Sequence, residues 1–290
     1  MNRLLSGAGL FSRRRRHVGD ELDHELHSND RIMTTRLASL CGHKDRVRPA
    51  GRRDVLLGLV ALALGGTALA IDRPALTLPS SVAGIPIPRS RVARAAAALS
   101  WQACPEVLFN HCMRTFLFGA LHEQHHGRAF DADAAFVAAA LHDLGLLKEY
   151  ETDGTPFEVD SANAAERLAL ENGLSRETAK IVWNAAAMHD MRWAVIERQS
   201  PTIELVAAGA SADVGGPDED MISPATTAEV IKAFPRLGFK TQFAQLLTDH
   251  CKRKPLSQLG TWLDGYCRAT VPTASFPDPQ AFIKAAPFEE

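Results

Sequence analysis

Residues 131–145 read DADAAFVAAALHDLG, and this stretch decides the fold. Asp131 stands where a helix cap is wanted, a run of small and apolar residues follows, and Gly145 stops it. Phe136, Ala139, Ala140 and Asp143 share one face, the inner one, and His142 lies one residue round at the C-terminal end. A run this apolar that ends by turning a carboxylate inward needs something to satisfy that carboxylate, because an unpaired buried charge is costly.

Working outward, two more helices carry groups of the same kind. Pro105 suits a first helical position for PEVLFNHCMRTFLFGALHEQH, where Leu108, His111, Thr115 and Phe118 form the core-facing stripe. Pro201 opens the helix that contains ELVAAGASADVGG, with Val206, Ala210 and Asp213 aligned inward and Gly215-Gly216 ending it. Two inward histidines and two inward aspartates, all near helix ends, are hard to explain one at a time. A single divalent metal satisfies all four. The rest of the body is also helical in pattern. Ser90 caps VARAAAALSW, Asp160 or Ser161 starts SANAAERLALENG, and Gly173 takes the left-handed closing position. Ser175 caps RETAKIVWNAAAMHD, Thr226 begins TAEVIKAFP, and FKTQFAQLLTDHCKRK is a further amphipathic helix. No strand alternation and no internal repeat stand out. The expectation is one all-α bundle of six or more helices.

With 290 residues, 46% of them hydrophobic, the chain can bury a full core. The net charge of −2 hides an asymmetry: residues 1–70 carry 12 Lys+Arg and 7 Asp+Glu, and the rest carries 20 and 27. A mildly acidic body lacks the positive footprint of a nucleic-acid binder. Near the N-terminus, GRRDVLLGLVALALGGTALA pairs Arg52 and Arg53 with an apolar stretch ending in Ala68-Leu69-Ala70, a small-x-small cleavage pattern. The stretch is short for a span of ~20 apolar residues. It resembles a bacterial twin-arginine export signal, which implies cleavage after Ala70, the twin-arginine (Tat) export machinery as a partner and a periplasmic body. An uncleaved inner-membrane anchor is the alternative reading. Met33 is a second possible start, and Arg13–Arg16 reads as part of a solvated leader. The domain plan is then leader 1–70, linker and first helix 71–100, a metal-dependent domain 101–265 and a tail 266–290. The linker is the Pro/Gly/Ser stretch from Leu76 to about Gly84. Cys104, Cys112, Cys251 and Cys267 remain in the body; in an oxidising compartment they allow three pairings, and as buried thiols they need none.

The order His111, His142-Asp143, Asp213 resembles the HD-domain superfamily of helical metal-dependent enzymes. The strings FNHCMRTFLFG, AAALHDLGL, FEVDSANAA, AGASADVGG and PRLGFK are similar to its cyanamide-hydratase-like branch, over about Trp101 to Trp262. The resemblance implies a single HD-domain bundle with His111, His142, Asp143 and Asp213 as metal ligands. Dinuclear relatives place extra histidines between the doublet and the last Asp. Here that interval offers only His189, in NAAAMHD, which implies one metal. Nitrogen and oxygen ligands suit Zn²⁺, with Fe²⁺ or Mn²⁺ as alternatives. Metal-bound water, its pKa lowered to ~7, would attack a small polar substrate, cyanamide- or nitrile-like by resemblance. Asp143 or His189 would accept or relay the proton, or His189 would simply satisfy carbonyls at its helix end. Arg114, Lys148 and Arg192 are the candidate substrate-steering cations. The His122, His125 and His126 cluster reads as a solvated helix end. Two other functions stay open: a phosphohydrolase acting on a nucleotide or phosphomonoester, and a non-catalytic exported binding domain.

Overall fold

A computed structural model describes residues 73–287. The leader, its Arg52-Arg53 pair and the apolar run to Ala70 lie outside the described residues. Eleven α-helices occur among the described residues, with one two-stranded hairpin. The all-α expectation holds. None of these helices is long and apolar enough to cross a membrane.

The opening stretch forms α3 (Ala132–Leu141), capped by the Asp131 side chain, which accepts from Ala134 N at 3.0 Å. Residues 134–141 are all fully buried. The helix is therefore apolar all round rather than on one stripe, which is the signature of a central helix. Around it pack α1 (Arg91–Ala103), α2 (Glu106–His125), α4 (Phe157–Glu171), α5 (Arg176–Ala187) and α7 (Pro201–Gly215). Alanine makes this possible, since five neighbours can approach one helix only where its side chains are short. The short α6 (Trp193–Ile196) links α5 to α7. Beyond them follow α8 (Pro224–Ala233), α9 (Phe239–Arg253), α10 (Asp264–Thr270) and α11 (Pro279–Lys284).

The closest partners are α2 and α7, which run antiparallel. Two glycines allow their backbones to meet. A Cβ on Gly119 would lie 2.0 Å from the Leu205 carbonyl oxygen, and one on Gly209 would lie 1.8 Å from the Thr115 carbonyl oxygen. This crossing brings His111, near the start of α2, beside Asp213, near the end of α7.

Several local expectations are corrected. The stretch read as a linker contains β1 (Ser81–Val82) and β2 (Ile85–Pro86), an antiparallel hairpin. Ala83 and Gly84 both take positive φ in its turn, and Val82, Ile85 and Ile87 are buried. Helix α4 starts at Phe157, ahead of Asp160 and Ser161. Those two side chains make tertiary bonds instead: Asp160 accepts from Lys254 Nζ at 2.9 Å, and Ser161 Oγ accepts from Gly145 N at 2.8 Å. Ser223, not Thr226, caps α8. Cys251 and Cys267 form a disulfide joining α9 to α10, while Cys104 and Cys112 are free and buried. Burial pushes the Cys104 thiol up to about 12, which leaves it unreactive.

Candidate metal centre

Helix α3 ends at Leu141, with His142 as its C-cap. Asp143 therefore sits beyond the helix, in the bridge region at φ −112° and ψ 9°, ahead of a 3₁₀ turn over Leu144–Leu146. The turn, not the helical face, swings its carboxylate inward. Gly145 lets this turn press on α4, since a Cβ there would lie 2.1 Å from the Phe157 carbonyl oxygen.

The structure brings His111, His142 and Asp143 together. His111 Nε2 lies 3.3 Å from Asp143 Oδ2 and 3.3 Å from His142 Nε2, and His142 Nε2 lies 3.4 Å from Asp143 Oδ2. All three residues are buried. His189, at the C-terminal end of α5, joins on the other carboxylate oxygen, with Nε2 3.7 Å from Asp143 Oδ1.

Hydrogen bonds orient each ring. His142 Nδ1–H donates to the Ala139 carbonyl at 2.8 Å, and His189 Nδ1–H donates to the Ala186 carbonyl at 2.7 Å. His111 Nδ1–H donates to Asp213 Oδ2 at 2.7 Å. Each Nε2 is thereby turned toward Asp143. Phe239 stacks on the His111 ring at 4.9 Å between centroids and fixes its plane.

Asp213 stands behind His111 rather than beside the other two ligand candidates. Arg114 grips it in two places, Nε to Oδ1 at 2.7 Å and an Nη to Oδ2 at 2.8 Å. Arg236 donates to Oδ1 at 2.7 Å and to the Asp213 backbone carbonyl at 3.0 Å. Both oxygens are occupied, so in this arrangement Asp213 aligns and polarises His111 in the manner of a carboxylate behind a metal-binding imidazole. Arg114 is fully buried and committed to this pair and to the Phe234 carbonyl, so it is not free to meet a substrate. Lys148 and Arg192 are exposed and do not line the cavity at the site. Sequence reasoning missed Arg236; PRLGFK drew notice as a string, but nothing local marks its arginine as a partner of Asp213.

Three observations test whether a cation fits here. Two imidazole Nε2 atoms face each other across 3.3 Å with both Nδ1 positions already donating. Asp143 Oδ2 is buried without a hydrogen-bond partner. The three separations of 3.3–3.4 Å match the edge of a tetrahedron whose ligands stand about 2.0–2.1 Å from its centre. The residues fit a divalent ion. The electrostatics agree. Burial pushes the Asp143 carboxyl up, yet His142, His111 and His189 outweigh it and hold it well below the usual range. Burial also opposes charge on His111, but hydrogen bonds to Asp143 and Asp213 prevail and raise its pKa, so the site favours positive charge at this point. His142 is pushed down to about 3 by burial and offers a free lone pair.

An HD-domain model matches residues 108–256, just over half of the chain and nearly all of the α2-to-α9 span. The chain belongs to the HD-domain family. HD domains bind divalent metals, and members of the family are mostly metal-dependent hydrolases. No curated protein matches the sequence significantly.

Above the HD doublet opens a cavity of about 300 Å³. Its floor is His111, His142, Asp143, His189 and Asp190. Phe157, Phe243, Ala207 and Ala210 form its walls. No Lys or Arg lines it. Asp190 adjoins a second buried carboxyl, Glu158, which burial and the neighbouring Asp190 push up to about 9, so Glu158 keeps its proton at neutral pH.

The other histidine cluster differs from the expected solvated end. His125 and His126 are exposed, but His122 Nε2 lies 3.2 Å from Glu204 Oε1, within an ion-pair network that Arg128 completes with Glu123 and Glu204.

Proposed function

We propose that this HD protein is a hydratase or hydrolase acting on a small, uncharged, carbon-centred polar group such as a nitrile, with one divalent ion, Zn²⁺ by preference, held by His111, His142 and Asp143. The observation that carries this reading is the cavity lining. A phosphoryl group is usually clamped by Lys, Arg or extra metal, and here the buried Arg114 is spent on Asp213 while no other cation reaches the floor. The cyanamide-hydratase-like resemblance points the same way.

A divalent ion in this position supplies Lewis-acid polarisation and acidifies water. The chain's own residues do the rest. His189 lines the cavity with Nε2 free, because Nδ1–H is committed to Ala186. It can take a proton from the attacking water and return it to the substrate nitrogen, so that water adds across a C≡N bond with nothing left over. Asp143 Oδ1, 3.7 Å away, steadies the imidazolium that forms between the two transfers. Phe157 and Phe243 restrict bulk water.

We further propose export through the twin-arginine route, after which the body works in the periplasm. The Cys251–Cys267 disulfide supports this, since such bonds persist in oxidising compartments. A reporter fused to residues 33–75 should leave the cytoplasm, and export of an Arg52→Lys/Arg53→Lys variant would remove the claim.

Elemental analysis of the purified protein should find about one equivalent of metal, and a panel of nitriles, amides and phosphate esters should show turnover among the first two. Two metals per chain, or phosphate release as the only activity, would sink the reading.

A further inference from the structure

The cavity is too large for the group that reacts in it. A volume of about 300 Å³ holds roughly ten waters at about 30 Å³ each, and a nitrile or amide head fills only a fraction of that. The remaining space is lined by side chains with no polar task. At its mouth stand Met191, Trp193, Val214 and Trp262, with relative exposures of 48%, 45%, 49% and 50%. They come from three separate segments: the turn into α6, the end of α7, and the loop between α9 and α10. Large apolar groups half open to water on one rim mark a contact surface. The rim is continuous with the floor that carries the reacting groups, so what covers it is the far end of the molecule that reacts below.

We infer that the substrate carries an uncharged aromatic substituent on the reacting carbon, lying between Trp193 and Trp262 while its polar head reaches His189 and Asp143. This deepens the proposed function and rests on it. Aromatic rather than alkyl chemistry is favoured because two indoles flank the opening, and ring pairs gain beyond area alone. An anionic ring substituent is disfavoured by Asp190 on the floor and by the lack of a cation in the lining.

The test uses zinc-loaded protein and two chelators with one common head, acetohydroxamate and benzohydroxamate, with affinities read by calorimetry. Benzohydroxamate should bind at least about tenfold more tightly, the factor that 1.4 kcal/mol produces. The ratio should fall toward one in Trp262→Ala and Trp193→Ala, both half-exposed positions whose thermal midpoints check that the variants are folded. Equal binding of the two chelators overturns the inference and leaves the metal site standing. A preference for the aryl compound that survives both substitutions also overturns it, because the ring then sits elsewhere. Binding of neither takes down the metal site and the inference together.

Discussion

Two clusters in this molecule bring a histidine and carboxylates within ligand distance: His111 and His142 with Asp143, and His122 with Glu123 and Glu204. By spacing alone both could hold an ion. They differ in what already neutralises them. In the second cluster the Arg128 guanidinium lies 2.9 Å from Glu123 and 2.7 Å from Glu204, so the positive charge is part of the chain. In the first, two Nε2 atoms and an unpartnered carboxylate oxygen converge and no arginine reaches them. A third group shows another solution: Glu158, beside Asp190, holds its own proton. Buried carboxylates are thus balanced here by an ion site, an arginine and a proton, and only the first arrangement calls for a metal.

The largest effect should come from the ion site. His142→Ala and Asp143→Asn should each purify with little or no metal and no activity, while His122→Ala keeps one equivalent. Elemental analysis decides, and full metal in either of the first two would erase the distinction between the clusters. Next, Arg128→Ala should leave metal content unchanged but strand Glu123 and Glu204, lowering stability by roughly 1–3 kcal/mol in denaturant titration. Asp213→Asn should keep a bound ion at saturation but weaken its affinity by roughly 10–100-fold in competition with a chelator, as outer-shell partners do. Wild-type affinity in that variant would show that His111 needs no orienting carboxylate.

The smallest effect concerns Glu158. Its folded pKa, about 9, lies above the ordinary value of 4.5, so the folded state holds a proton that the unfolded chain releases. That contribution is complete below about pH 4.5 and declines as pH rises toward 9, by at most about 1.4 kcal/mol per pH unit. Glu158→Gln should flatten this slope in melts recorded from pH 5 to 9. An unchanged slope would place the proton elsewhere.

Much of the fold was legible because helix signals are local. Ser90, Asp131 and Ser175 cap where the sequence puts them, and Gly173 takes the left-handed turn at φ +96°. The meeting of His111, His142, Asp143 and His189 was also readable, from inward positions and helix ends. What escaped the sequence depends on contacts between distant segments. Asp160 and Ser161 carry capping chemistry, yet Lys254 and Gly145 claim them. Asp213 looks like any inward aspartate until Arg236, 23 residues on, fills its second oxygen. Arg114 was read as free because burial beside a carboxylate has no local signature. The rim tryptophans lie 69 positions apart and share a function only through the cavity between them.

The contact of α2 with α7 sets a manufacturing tolerance for the centre. Gly119 lies eight residues beyond His111, about 12 Å along the helix, and touches no ligand. Yet the gauge between His111 and Asp213 is fixed by hydrogen atoms at positions 119 and 209, where a methyl would collide with a carbonyl at 2.0 Å or less. Ligand placement tolerates errors of only about half an ångström. The chemistry is therefore calibrated two turns away by two residues that have no chemistry of their own.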